Sequence, residues 1–167
     1  MTRWLSEDEQ AVWRAFLEAS QLLFERLDHE LQCDSAIPHS YYEVLVRLSE
    51  TAGRRLRMST LADRSQSSRS RLSHAVRRLE AAGWVRREVC PTDARGAEAV
   101  LTDEGLAALA AAAPAHVEGV RRHLFDQLTP EQIAGLGEIS RAVRDHLRAE
   151  PGPPCAAAEA AEAGEAC

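Results

Sequence analysis

The sequence contains no lysine, so all of its basic side chains other than histidine are arginines. It has no apolar run near the roughly 20 residues that a membrane span needs and no signal-peptide pattern, which indicates a cytoplasmic protein. Its four cysteines lack CxxC spacing and indicate neither a zinc ribbon nor a disulfide framework. Ser/His/Asp sets, phosphate loops and paired-carboxylate motifs are missing too. The sequence therefore predicts neither an enzyme nor a bound cofactor or metal.

Charge is unevenly distributed along the chain. The whole sequence carries a net charge of −6, which taken alone argues against a nucleic-acid-binding protein. Between Arg54 and Arg95, however, eleven arginines stand against four acidic residues, a local charge of +7 that leaves −13 for the remainder. The local field determines affinity for phosphate. This segment is therefore a candidate DNA-binding surface.

The basic segment contains a helix-turn-helix pattern. A short helix from Ser59 to Arg64 is followed by a break at 65–67 and a longer helix that Ser67 or Ser68 caps. An apolar stripe predicts the inward face of the longer helix: Leu72, Ala75, Val76 and Leu79. The outward face carries groups that bind guanine edges and phosphates in a major groove. These candidate DNA-binding residues are Ser68, Arg69, Ser70, Arg71, Ser73, His74 and Arg77.

A two-stranded ribbon is predicted after this helix. Residues 85–90 alternate as a half-buried strand does, Pro91 to Gly96 form a turn, and residues 97–101 return. Arg95 at the tip is placed to enter a minor groove, where the negative potential is deepest. Asp93 is predicted to stabilise this wing through a salt bridge. The arginines at 54, 55 and 57 are either a phosphate clamp or part of a solvated loop.

The wing and the end of the longer helix resemble a known family. Asp93-Ala-Arg-Gly96, followed by Val100-Leu-Thr102 and Gly105, is similar to the wing signature of the MarR (multiple antibiotic resistance regulator) family. Leu79 to Val85 resembles that family's exit from its recognition helix. The resemblance implies a winged helix-turn-helix homodimer that binds double-stranded DNA, represses transcription and is released by a small ligand or by oxidation. Because the outward face is richer in Arg and Ser than the usual Thr-rich pattern, the operator sequence does not follow.

The flanking segments predict a helical dimerisation base. The expected fold is mainly α with a small β-wing (α+β), divided into N-terminal helices over 1–53, a winged lobe over 54–101 and C-terminal helices over 102–148. A tail over 149–167 is predicted to be disordered. Capping patterns place helix starts at Ser6, Ser40, Thr102 and Thr129, and Gly53 is expected to end the second helix.

A ligand pocket is a further expectation from the resemblance. In this family a pocket often lies where the first, second and fifth helices meet the DNA-binding lobe. Five residues are candidates by position: Trp13, Phe16, His39, Tyr42 and Arg71. Aromatic walls with one or two polar groups suit a small aromatic acid or a phenolic metabolite. The alternative is that Trp13 and Phe16 belong to the core.

Three other readings stay open. Oxidation of Cys33 or Cys90 is a second possible signal, since Arg86 or Arg87 would lower the pKa of the Cys90 thiol. A metal site is a third, with ligand types suited to zinc at loosely spaced positions: His29, Cys33, His39, His116 and His123. The arginine face is alternatively a docking surface for an acidic protein.

Overall fold

A computed structural model describes residues 2–65, 68–90 and 93–150, with the side chains at 90 and 93–95 left out. The chain divides into two units, one ending at Leu124 and one beginning at Phe125. The first contains helices α1 (Glu7–Ser35), α2 (His39–Ser49), α3 (Met58–Arg64), α4 (Arg69–Ala81) and α5 (Asp103–His123). It also contains strands β1 (Arg55–Arg57), β2 (Val85–Cys90) and β3 (Asp93–Leu101). The second contains α6 (Pro130–Ala149).

Three of the four predicted helix starts are confirmed. Ser6 and Thr129 each form a capping box, and the Thr102 hydroxyl accepts the N–H of Gly105 at 3.0 Å. Ser40 was wrong as a cap, because α2 begins one residue earlier and follows Pro38. The free N–H of His39 instead donates to the Asp28 carboxylate of α1 at 2.7 Å. A side chain eleven positions away therefore replaces the local cap.

The sheet has three strands, whereas the sequence predicted two. Its order is β1-β3-β2, and both pairings are antiparallel. Of the two alternatives for the arginines at 54, 55 and 57, the solvated loop is wrong for residues 55–57, because Arg55 pairs with Val100 and Arg57 with Glu98. Gly53 does not end α2 but lies in a turn at φ 70°.

The wing differs from its predicted bounds. The return strand begins at Asp93, four residues earlier than expected, and Cys90 pairs with Asp93. Val85 is buried, but Val89 is 70% exposed, so the predicted half-buried alternation holds only at the base of the wing. The predicted disordered tail lies outside the described residues from 151 onward.

The core of the first unit lies where α2, α3 and α4 meet the sheet. Its members include fully buried leucines and valines: Val44, Leu45, Leu48, Leu61, Val76 and Leu79. The fold is thus mainly helical with a small antiparallel sheet, as predicted. Among the described helices, none is long and apolar enough to cross a membrane.

Candidate nucleic-acid interface

The start of α4 is held by its own cap. Ser68 is extended, and its hydroxyl accepts the backbone N–H of Arg71 at 3.3 Å. No acidic residue lies in the first turn, so the positive end of the helix dipole is not neutralised there. Ser68 is therefore confirmed as the cap, while Ser67 lies outside the described residues. A helix start of this kind attracts a phosphate.

The two faces of α4 separate as the sequence predicts. Leu72, Ala75, Val76 and Leu79 are all buried. The opposite face is exposed except for Ser73, which is half-buried. This side carries Ser70 and His74 together with four arginines, here called the α4 arginines: Arg69, Arg71, Arg77 and Arg78.

Among the side chains that the structure describes, which do not include that of Asp93, none forms an ion pair with the α4 arginines. Each guanidinium presents a planar set of N–H donors that matches phosphate oxygens and the acceptors of guanine. Because no carboxylate of the described chain occupies them, these donors are available to an external anion. The face can therefore bind a phosphate backbone and contact base edges.

The junction between α4 and β2 is tightly fixed. Gly83 adopts φ 76°, which a residue with a side chain rarely does. The N–H of Trp84 donates to the Leu79 carbonyl at 2.9 Å, and the Thr102 hydroxyl donates to the Gly83 carbonyl at 2.8 Å. At Gly105 a Cβ atom would lie 2.1 Å from the Trp84 carbonyl oxygen. The first turn of α5 can therefore approach the start of β2 only with glycine at that position.

Three arginines in the strands, here called the sheet arginines, form ion pairs within the chain: Arg55, Arg86 and Arg87. Arg55 lies 3.2 Å from the Glu88 carboxylate and 3.4 Å from that of Glu98. Glu88 and Glu98 face each other across β2 and β3, so Arg55 relieves a repulsion between like charges. Arg86 donates from Nε to Glu88 at 2.6 Å, and this hydrogen bond holds the pKa of Glu88 below its usual value.

Arg54 is also paired, with Asp103 at 2.8 Å. Arg57 has a partner as well. Because Arg54, Arg55 and Arg57 all have partners within the chain, the hypothesis of a phosphate clamp over 54–57 is not supported. The sequence held no local signal for this pairing, because the acids lie 33 to 49 positions further along the chain.

The wing tip is described by its backbone alone. Cys90 and Asp93 end the two paired strands. The side chains of Cys90, Asp93 and Arg95 lie outside the described ones. Their roles in redox sensing, wing stabilisation and minor-groove binding stay predictions.

The five ligand candidates do not form one pocket. Trp13 and Phe16 stack on each other at 6.1 Å and are 50% and 59% exposed, so the alternative that they are core is wrong within this unit. His39 and Tyr42 instead both contact His116 of α5, at ring-centroid distances of 5.5 and 4.6 Å. Burial, and then the nearby His39, lowers the pKa of His116. Burial raises the pKa of Tyr42.

Arg71 lies in a separate crevice of about 600 Å³ between α2 and the start of α4. Tyr41 and Val44 line it from α2, and Leu72 and His74 line it from α4. An aromatic ring, apolar side chains and an unpaired guanidinium therefore line one crevice, together with the Glu43 carboxylate, which is paired with Arg47. The sequence could not indicate Tyr41, because its neighbour Tyr42 has the same residue type and only the rotation of α2 distinguishes them.

Few of the residues in the redox and metal hypotheses lie close to one another in the described part of the chain. Cys33 is exposed, and its Sγ lies 3.7 Å from Nε2 of His29. His123 lies against Glu30 at 2.7 Å rather than near the other histidines. In the described part of the chain no group of three or more His, Cys, Asp or Glu side chains is arranged to hold a metal ion.

Known proteins of one family are similar to this chain. A family model described as MarR family matches residues 37–96. The chain is similar to Sco3205, a MarR family transcriptional regulator from Streptomyces coelicolor in complex with DNA, at 55% identity over 88% of this chain and 92% of that one, with a TM-score of 0.84. It is similar to AbsC, a MarR family transcriptional regulator from the same organism, at 46% identity over 89% and 100%, with a TM-score of 0.82.

A more distant likeness shows the fold alone. The PcaV transcriptional regulator from Streptomyces coelicolor, in complex with its natural ligand, is 24% identical over 87% of this chain and 97% of that one, with a TM-score of 0.65. A search of curated protein sequences finds no match.

Proposed function

The chain belongs to the MarR family of transcriptional regulators, and we propose that it acts as a homodimeric repressor on a pseudo-palindromic operator. As a member of that family it is a DNA-binding regulator and not an enzyme. In the proposed complex each α4 enters a major groove and each wing an adjacent minor groove. Two-fold symmetry would separate the half-sites by about one helical turn, roughly 10 bp.

The observation that carries the proposal is the exposed face of α4. Its arginines have no carboxylate partner in the described chain, whereas the sheet arginines do. Phosphate contacts of this kind supply affinity and position the protein, and contacts to base edges supply specificity. A surface that docked an acidic protein would use the same charges, but the DNA complex of the relative at 55% identity supports duplex DNA.

Dimerisation is supported by apolar side chains that the single chain leaves in solvent. On α1, Val12 and Phe24 are exposed along with the stacked pair Trp13 and Phe16, and Trp4 precedes them. On α6, Ile139, Val143 and Leu147 are exposed. Large apolar side chains exposed together on a helix mark an interaction surface. We assign residues 1–53 and 102–148 to dimerisation and residues 54–101 to DNA binding.

Release by a small aromatic acid is the proposed signal. The crevice beside Arg71 offers a guanidinium for a carboxylate and the Tyr41 ring for an aromatic group. The complex of PcaV with its natural ligand is a precedent for a ligand-bound protein of this fold. A ligand held by Arg71 would remove one of the donors that α4 presents to DNA, so the two would bind in competition.

Affinity selection of genomic DNA fragments by the full chain tests this function. The expected result is an enriched site with two related half-sites about one helical turn apart. The protein that binds it should have the mass of two chains when measured by sedimentation. Adding small aromatic acids to the same binding assay should release the DNA. Binding of a monomer to a single unrepeated site would contradict the dimeric operator model, and a lack of release by any acid would contradict the ligand proposal alone.

A further inference from the structure

Arg87 joins the wing to the recognition helix. Its Nε lies 3.1 Å from Oε2 of Glu80 in α4, and its backbone N–H donates to Oε1 of the same carboxylate at 3.1 Å. Its terminal NH2 group donates to the backbone carbonyl of Ser73 at 3.0 Å, two turns earlier in α4. One residue of β2 therefore occupies both oxygens of Glu80 and reaches along the helix. The side chains are 33% and 30% exposed, so the contacts are partly shielded from water.

The position of Glu80 is electrostatically unfavourable for a carboxylate in two respects. It is the single acidic residue of α4 and lies near the C-terminal end, where the helix dipole disfavours a negative charge. A negative charge beside a DNA-binding face also opposes binding to phosphate. The ion pair and the backbone hydrogen bond that Arg87 makes with this carboxylate offset both penalties.

The base of β2 determines where the far end of this strand lies. A strand rises roughly 3.3 Å per residue, so Cys90, at the end of β2, lies on the order of 10 Å from Arg87. A rotation of about ten degrees at the base would move that end by roughly 2 Å, by the same geometry. A phosphate or base contact does not survive a displacement of that size.

We propose that Glu80 and Arg87 are positioning residues that fix the angle between the wing and α4, so that both reach DNA together. The proposal rests on the docking of wing and helix described above. It separates Arg87 from the residues that touch DNA. Arg87 acts through the orientation of the wing, and its charge is already neutralised by Glu80.

The test measures the operator affinity of the full chain carrying Glu80→Gln or Arg87→Lys. Glu80→Gln removes a negative charge next to DNA, so electrostatics alone would strengthen binding. The positioning role instead predicts a loss of about tenfold, similar to that of one lost contact. Arg87→Lys keeps the positive charge but not the forked donors, so it should lose about as much. Arg86→Ala on the other face of β2 is the matched control and should bind like the parent.

A second measurement separates positioning from loss of stability. Arg95→Ala is combined with each background, because residues that depend on each other give non-additive effects. In the parent, Arg95→Ala should weaken binding, whereas in the Glu80→Gln chain it should cost almost nothing. Arg77→Ala, on α4 itself, should keep its full cost in both backgrounds. General unfolding would reduce both costs and would also lower the melting temperature measured on the same samples.

The possible failures are distinguishable. If Arg95→Ala has no effect in the parent, the wing does not dock and the proposed DNA complex is wrong. If it has the same cost in the parent and in the Glu80→Gln chain, docking stands and the positioning role is overturned. Binding by Glu80→Gln that equals or exceeds the parent's, or full binding by Arg87→Lys, would overturn the role as well.

Discussion

The α4 arginines and the sheet arginines carry the same charge in different surroundings. On α4, Arg71 and Arg77 are exposed and have no ionic partner in the described chain. In the sheet, Arg55 and Arg86 share Glu88, and Arg87 is held by Glu80. An exposed ion pair contributes little to stability, so leaving an arginine unpaired costs the free protein little stability. An unpaired arginine that binds a DNA phosphate contributes to binding affinity, because condensed counterions are released from the DNA.

Because of this difference, only part of the local charge of +7 counted from the sequence is available to DNA. A charge count treats every arginine as available to DNA, although several of them are already neutralised within the fold. The field that DNA meets is therefore concentrated on one face of α4 rather than spread over the whole segment. In the proposed complex the sheet arginines hold the winged lobe together and the α4 arginines bind the DNA.

The largest effect is expected when α4 loses an arginine. Arg77→Ala should weaken operator binding by about 1–3 kcal/mol if it contacts a base, and should lower the salt slope by about 1 if it contacts a phosphate. Arg95→Ala at the wing should behave in the same way. Fluorescence anisotropy with labelled operator at a series of salt concentrations measures both quantities. Unchanged affinity and slope in both variants would remove the proposed docking of helix and wing.

The sequence predicts the parts of this interface that depend on local chemistry. The spacing of Leu72, Val76 and Leu79 gave the buried stripe of α4, because helical periodicity alone decides which side is apolar. Caps such as Ser68 and Thr102 were found for the same reason, since a cap acts over three residues.

Contacts between distant segments could not be predicted in this way. Strand β1 has only three residues, too few for an alternating pattern, and it exists because β3 pairs with it more than forty positions later. The hydrogen bond of Asp28 to the start of α2 and the contact of Arg87 with Ser73 likewise depend on the folded geometry. Partner choice among arginines is therefore information that only the structure supplies.

At His116 the fold disfavours the positive charge itself, and this gives the second prediction. Burial and the nearby His39 lower its pKa below 6.5, so the unfolded chain takes up a proton at a higher pH than the folded chain. The stability from the neutral imidazole is present above about 6.5 and is lost as the pH falls through the lower folded value. Urea unfolding between pH 5 and 8 should therefore show stability decreasing with acid, and His116→Gln should flatten this dependence.

A matched control for this prediction is His146→Gln on α6, where the side chain is exposed. It should leave the pH dependence of unfolding as in the parent. If His116→Gln and the parent lose stability in parallel as the pH falls, another group is responsible.

The smallest effect is expected for Arg86→Ala, and it tests the comparison most directly. Arg86 is exposed and lies on the strand that leads into the wing, so charge alone would make it a phosphate contact. Its Nε is instead bound to Glu88 at 2.6 Å, and Arg55 remains 3.2 Å from the same carboxylate when Arg86 is removed. Operator affinity should therefore stay within about twofold and the salt slope should not change, since one phosphate contact accounts for about one unit of slope. A slope lowered by about 1 would show that Arg86 leaves Glu88 for the DNA backbone. The ion pairs of the free protein would then not predict which arginines bind, and the distinction between the two groups would fail.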